Sequence, residues 1–232
     1  MSFEPHATAF SLPNAQLLGQ AAAVAYRDRT ACAAWAGANG FPAGTFDFFD
    51  HNDTQGFVAQ NDEVILVSFR GTQPRQPMDW FADFDALPAT WGHAAGVVHK
   101  GFLNALHAVW GRTLADGREI LPKRLLDRGN RTVWITGHSL GGALAELCAA
   151  QAFFISQVPI QGVYTFGQPR VGNEAFAGAV HAAFGPRIFR FINDRDIVPR
   201  VPLFGWAFAT TGTRRSSITP ARAAISRPAS RP

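Results

Sequence analysis

The feature that most constrains this chain is a glycine-flanked serine wedged between a short apolar run and a long one. Val133-Trp134-Ile135-Thr136 has the β-branched and aromatic character of a strand, Gly137-His138-Ser139-Leu140-Gly141 follows at once, and residues 142–154 have the length and apolar content of a buried helix. In that setting a G-x-S-x-G pentapeptide drives the serine through a sharp strand-to-helix turn, and its glycines remove side chains that would collide there. The turn lifts the Ser139 hydroxyl above a sheet, at the positive end of the following helix. His138 is adjacent to the serine on this tight turn, so its side chain points elsewhere and it is read as a packing residue rather than a base.

The remaining patterns agree with an α/β chain. Residues 15–35 carry apolar positions at helical spacing and predict an N-terminal helix or helix pair; residues 56–59 and Val64–Phe69 predict a hairpin turning through 60–63. Helical spacing recurs over residues 100–126 and Glu174–Phe184, with strands predicted at 132–136, Gly162–Phe166 and Ile188–Ile192. Strands and helices alternating in this way build a largely parallel sheet covered on both faces. The 232 residues suffice for one such domain, expected over residues 1–209. From about 210 to 232 the chain is mostly Arg, Ser, Ala, Pro and Thr, a composition that cannot offset the entropy of ordering itself, so no structure is expected there.

Charge excludes some partners. The formal net charge is +4, but six arginines lie beyond Asp196; setting them aside from the 21 Lys and Arg leaves 15 basic against 17 acidic residues. The basicity is therefore local to the tail, and no basic stripe on a folded face points to nucleic acid. Cys32 and Cys148 are too few for a disulfide framework, and Cys148 lies in an apolar segment that suits a buried thiol. The first twenty residues lack the basic start, apolar run and cleavage site of a signal peptide, which predicts a cytoplasmic location. The longest apolar stretch, residues 140–155, is interrupted and too short to span a bilayer. Nothing in the sequence sets an oligomeric state.

Acyl transfer by Ser139 needs donors where negative charge develops on the carbonyl oxygen. The amide of Leu140, the residue after the nucleophile, supplies one. Phe69-Arg70-Gly71-Thr72, leaving an early strand, supplies a second through the backbone and hydroxyl of Thr72. A carboxylate is needed to orient a histidine. Asp194 and Asp196 both follow the strand Ile188–Ile192, and the residues alone leave the two in competition.

With these residues assembled, the chain resembles the class 3 lipases, the group that includes the filamentous-fungal triacylglycerol lipases, on the α/β-hydrolase fold. The resemblance runs from about 53 to 202 and is carried, in family order, by Val67-Ser68-Phe69-Arg70-Gly71-Thr72, Val98-His99-Lys100-Gly101-Phe102, Thr136 through Ala145, Thr165-Phe166-Gly167-Gln168-Pro169-Arg170-Val171-Gly172-Asn173 and Asp196-Ile197-Val198-Pro199-Arg200-Val201-Pro202. It implies a serine carboxylic ester hydrolase acting on acylglycerols or similar lipid esters, with Ser139 as nucleophile, Asp196 as triad acid and Thr72 with Leu140 as oxyanion hole. It further implies that residues 73–84 form a lid, with Met78, Trp80, Phe81 and Phe84 meeting substrate and making transient contact with a lipid interface. It implies no metal and no cofactor, and it places His99 at a family position that is not the base.

The resemblance also places the catalytic histidine several tens of residues beyond the aspartate, yet all seven histidines of this sequence precede Asp196. The fold is accordingly expected to be C-terminally incomplete and the chain short of its base. A shift of reading frame between about 202 and 208, in the gene or its sequencing, is the expected origin of the unusual tail. Two rivals share the scaffold: a non-catalytic pseudo-lipase that binds acyl chains or a partner, and a phospholipase or acyltransferase.

Overall fold

A computed structural model describes residues 2–71, 87–92, 96–111, 120–192, 208–209 and 211–216. Its N-terminal helices are α1 (Leu12–Val24) and α2 (Arg29–Ala38), the pair that the sequence allowed. Each is capped as its sequence dictates: the Ser11 hydroxyl accepts from the Asn14 amide at 3.3 Å, and the Asp28 carboxylate accepts from the Ala31 amide at 2.8 Å.

Seven strands form the main sheet among the described residues, in the order β1 (Phe46–His51), β2 (Thr54–Gln60), β3 (Val64–Phe69), β6 (Thr132–His138), β7 (Gly162–Phe166), β9 (Ile188–Ile192) and β11 (Thr213–Ser216). The hairpin β1–β2–β3 is antiparallel, and every pairing from β3 onward is parallel. A small antiparallel sheet, β10 (Phe208–Ala209), β8 (Gly172–Asn173), β5 (Val97–His99) and β4 (Pro88–Thr90), lies apart from it. The helices that follow are α3 (Lys100–Trp110), α4 (Ile120–Leu126), α5 (Leu140–Phe154) and α6 (Glu174–Phe184).

Parallel strands covered on both sides read as continuous apolar runs, and this is what the central strands do. Val64 and Leu66 of β3 join Trp134 of β6 in the core beneath α1 and α2, while Ile65, Val67 and Phe69 join Val133 and Ile135 in the core on the opposite face. Polar side chains then tie α1 to its face. The Ser68 hydroxyl donates to the Ala21 carbonyl at 3.0 Å, Thr136 donates to the Leu18 carbonyl at 3.1 Å, and the Tyr164 hydroxyl accepts from the Ser11 amide at 3.0 Å. On the opposite face α5 is buried on all sides from Leu140 to Ala152, as its Ala- and Gly-rich sequence permits.

Three expectations need adjustment. The helical stretch 100–126 is interrupted after Trp110, where Gly111 ends α3. The strand β1 was not anticipated; its Phe-Asp-Phe-Phe-Asp pattern is held against β2 in full antiparallel register. The unstructured tail is corrected over residues 211–216: Thr211 is buried, and β11 pairs along the edge of β9 from Thr213↔Phe189 to Ser216↔Ile192. An open sheet edge offers a row of unpaired amides and carbonyls that any extended backbone can satisfy, so composition is a poor guide there. The rest of the expected tail, 217–232, lies outside the described residues.

Candidate active site

β6 ends in Gly137 and His138, and Ser139 turns the chain directly into α5 with φ 56° and ψ −126°. A non-glycine residue in this region costs about 1–3 kcal/mol and persists only where the surroundings over-determine it. Here they do. The Ser139 amide donates to the Phe166 carbonyl at the end of β7 at 2.8 Å, and the Ser139 carbonyl accepts from the Gly142 amide at 2.9 Å. The flanking glycines are steric necessities: a methyl group on Gly137 would run into the Gly141 carbonyl, and one on Gly141 would run into the Phe69 carbonyl of β3. Ser139 is 9 % exposed, tucked in but not sealed.

The nucleophile stands where the strand ends converge. Phe69 of β3 is level with Gly137, and Phe166 of β7 is level with His138. Leu140 is the first residue of α5, and amides of a helix's first turn have no carbonyl partner within the helix, which leaves this one suited to an oxyanion. Gly71 leaves β3 on the other side, so close that a Cβ there would lie 3.2 Å from the Ser139 Cβ. Ser139 and Leu140 are thus together with the residue that precedes Thr72. Thr72 itself, Asp194, Asp196 and the lid residues Met78, Trp80, Phe81 and Phe84 lie outside the described residues. The last described residue before Asp196, Ile192, ends β9, which runs parallel to β7 and two strands from β6.

His138 is exposed, and its Nδ1 lies 2.8 Å from the Tyr26 hydroxyl, just beyond the end of α1. Burial raises the Tyr26 phenol to about 12, partly offset by a hydrogen bond from the Gly71 amide and by the Arg70 charge, so it remains protonated at neutral pH. His99 is buried against Phe102, with ring centroids 4.1 Å apart.

A second polar group, not foreseen as part of the site, lies under the elbow. Glu146 of α5 is buried and accepts from the Gln168 side-chain amide; the Thr165 hydroxyl donates to the Gln168 side-chain oxygen at 2.6 Å, and Arg190 of β9 donates to the Gln168 carbonyl at 2.9 Å. Burial pushes the Glu146 carboxyl above the usual carboxylate range, while the Thr211 hydroxyl, the Arg190 charge and the Gln168 amide oppose that shift. The signal available in the sequence was the single charge inside an otherwise apolar helix. Among the described residues no cluster of His, Cys, Asp or Glu is arranged to hold a metal ion, and no helix is long and apolar enough to cross a membrane.

Residues 66–206 match the lipase (class 3) family. The chain belongs to the class 3 lipase family. It is 35% identical to the lipase of Rhizomucor miehei over 170 residues, covering 69% of this chain and 44% of that protein. It is 32% identical to triacylglycerol lipase OBL1 of Arabidopsis thaliana over 200 residues, covering 67% of this chain and 38% of that one. The chain therefore spans less than half the length of these curated relatives. Among solved structures it resembles a triacylglycerol lipase described as having a serine protease triad as its catalytic centre, with a TM-score of 0.69 and 26% identity, over 89% of this chain and 80% of that one. It also resembles the Rhizomucor miehei lipase propeptide complex, with a TM-score of 0.65 and 27% identity, over 90% of this chain and 69% of that one. The sheet of this class 3 lipase is thus an α/β-hydrolase sheet, with the family's serine elbow at the end of β6.

Proposed function

We propose that this class 3 lipase is a serine carboxylic ester hydrolase acting on acylglycerols or similar lipid esters. The observation that carries the reading is the positive-φ elbow: Ser139 is held at φ 56° between the first amide of α5 and the loop leaving β3. In this mechanism the Ser139 hydroxyl attacks the acyl carbonyl and passes its proton to a histidine oriented by Asp196. The Leu140 amide and Thr72 stabilise the resulting oxyanion. Collapse expels the alcohol, which takes the proton, and water then releases the acid from the acyl-enzyme by the same steps. Residues 73–84, with Met78, Trp80, Phe81 and Phe84, act as a lid that opens at a lipid surface; a related fungal lipase–inhibitor complex was described as a model for interfacial activation.

All seven histidines of the 232 residues precede Asp196, so the histidine of this mechanism is not assigned to any of them. Turnover by these 232 residues with no histidine as base rests on binding and oxyanion donors, roughly 10³–10⁴ over water. The test is labelling by a fluorophosphonate together with hydrolysis of p-nitrophenyl butyrate, each in wild type and Ser139→Ala. Loss of both signals in Ser139→Ala supports the reading. Fast turnover that is lost in that variant keeps the nucleophile and overturns the expectation of low activity. Binding of a fluorescent fatty acid with neither labelling nor turnover favours the non-catalytic rival.

A further inference from the structure

The segment that follows α1 is fixed far more firmly than a surface connection requires. The Gln55 side chain of β2 donates to the Ala25 carbonyl at 2.8 Å and to the Arg27 carbonyl at 2.7 Å, gripping the backbone on either side of Tyr26. Arg70 in turn donates to the Gln55 side-chain oxygen at 2.6 Å and to the Asp53 carbonyl at 3.0 Å. The grip therefore includes the residue that precedes Gly71. Tyr26, held in this way, touches both halves of the site: its phenol oxygen stands so close to Gly71 that a Cβ there would lie 2.2 Å from it, and it lies 2.8 Å from His138 Nδ1. A phenol has one proton and spare lone pairs, so a single hydroxyl can donate to the imidazole nitrogen and accept from a backbone amide at once. The place is tight. A Cβ on Gly71 would collide with the Tyr26 oxygen and with the His138 carbonyl, which explains a glycine there.

We propose that Tyr26 is a positioning residue whose hydroxyl bridges the loop leaving β3, at Gly71, to the serine elbow, at His138, and so sets the spacing between oxyanion donors and nucleophile. The inference rests on the ester hydrolase reading for its purpose, though not for its geometry. Neither end of the bridge is the nucleophile or an oxyanion donor of the proposed reaction. What it controls is alignment, to which acyl transfer is sensitive at the scale of an ångström.

Tyr26→Phe keeps the ring and removes only the bridging oxygen. Amide hydrogen exchange of the intact chain is expected to speed up at Gly71 by about tenfold or more in this variant, with exchange in β2 and β6 unchanged. In p-nitrophenyl butyrate hydrolysis kcat is expected to fall about tenfold with KM unchanged. His138→Asn, whose side-chain oxygen can accept in place of Nδ1, is expected to retain more of kcat than His138→Ala. Should Tyr26→Phe fail to fold, the two His138 variants read the same quantities from the other end of the bridge. Unchanged exchange at Gly71, or exchange accelerated equally across the sheet, overturns the proposal. If the wild type hydrolyses no ester while Gly71 responds as expected, the ester hydrolase reading fails and the bridge stands; an active wild type with Gly71 unresponsive means the reverse.

Discussion

The elbow of this class 3 lipase is flanked by two hydrogen-bonded clusters that differ in their access to water. On the α1 side, an exposed His138 and a half-buried Tyr26 open to the molecular surface beside the buried Gly71. On the α5 side, Glu146, Gln168, Thr165 and Arg190 are sealed, none more than 3 % exposed. Both clusters join three or more chain segments beside Ser139. A polar group near the surface can exchange a lost partner for water, whereas a sealed one forfeits its full desolvation cost. The same kind of bond therefore serves alignment on one side and stability on the other.

The largest effect on stability that would break this contrast is Gln168→Ala. It takes from the buried Glu146 carboxyl and Thr165 hydroxyl their Gln168 partner, at a cost of about 3 kcal/mol, or about 6–12 °C in Tm. Thermal unfolding by circular dichroism measures it, with Tyr26→Phe, expected to cost about 1 kcal/mol, as the surface counterpart. If the two variants lose equal stability, the distinction between sealed and open clusters is wrong.

The next effect is one of pH. The folded state raises the Glu146 carboxyl above its ordinary value, so between roughly pH 4.3 and the raised value the folded protein holds a proton that the unfolded chain has released. Stability from this group is present below that window and is lost as pH rises through it. Glu146→Gln keeps a hydrogen-bonding side chain without the titration. Its Tm is therefore expected to gain on wild type as pH rises from about 4 to 8. Parallel Tm profiles for the two proteins would remove Glu146 as a titrating element.

The smallest effect isolates the strain of the elbow itself. Ser139→Gly and Ser139→Ala both delete the hydroxyl, but only glycine takes φ 56° without steric cost. Ser139→Gly is expected to be the more stable by about 1 kcal/mol, less the extra entropy of glycine in the unfolded chain. Equal melting temperatures would place the over-determination of the turn in its flanking glycines and hydrogen bonds alone.

Much of the fold was legible before any coordinates. The strands 64–69, 162–166 and 188–192 and the helix 174–184 lie where apolar runs and helical spacing predicted them. The edges were less legible. β1 alternates polar and apolar residues too irregularly to announce itself, and β11 has a composition that argues against order yet finds a partner in β9. At the site, Ser139 and Leu140 lie at the turn from β6 into α5, whereas Thr72, Asp196 and the lid lie outside the described residues.

The amino-acid sequence by itself determined the elbow, because the forces that shape it are local: two glycines with no room for a side chain, a β-branched strand before the serine and an Ala-rich helix after it. Only the tertiary structure decided what surrounds it. Tyr26 meets His138 across 112 residues, and Gln168 meets Glu146 across 22. Contacts of that kind leave no periodic trace in the chain, since a hydroxyl or a carboxyl carries no sign of its partner until packing brings the two together and excludes the water that would otherwise serve both.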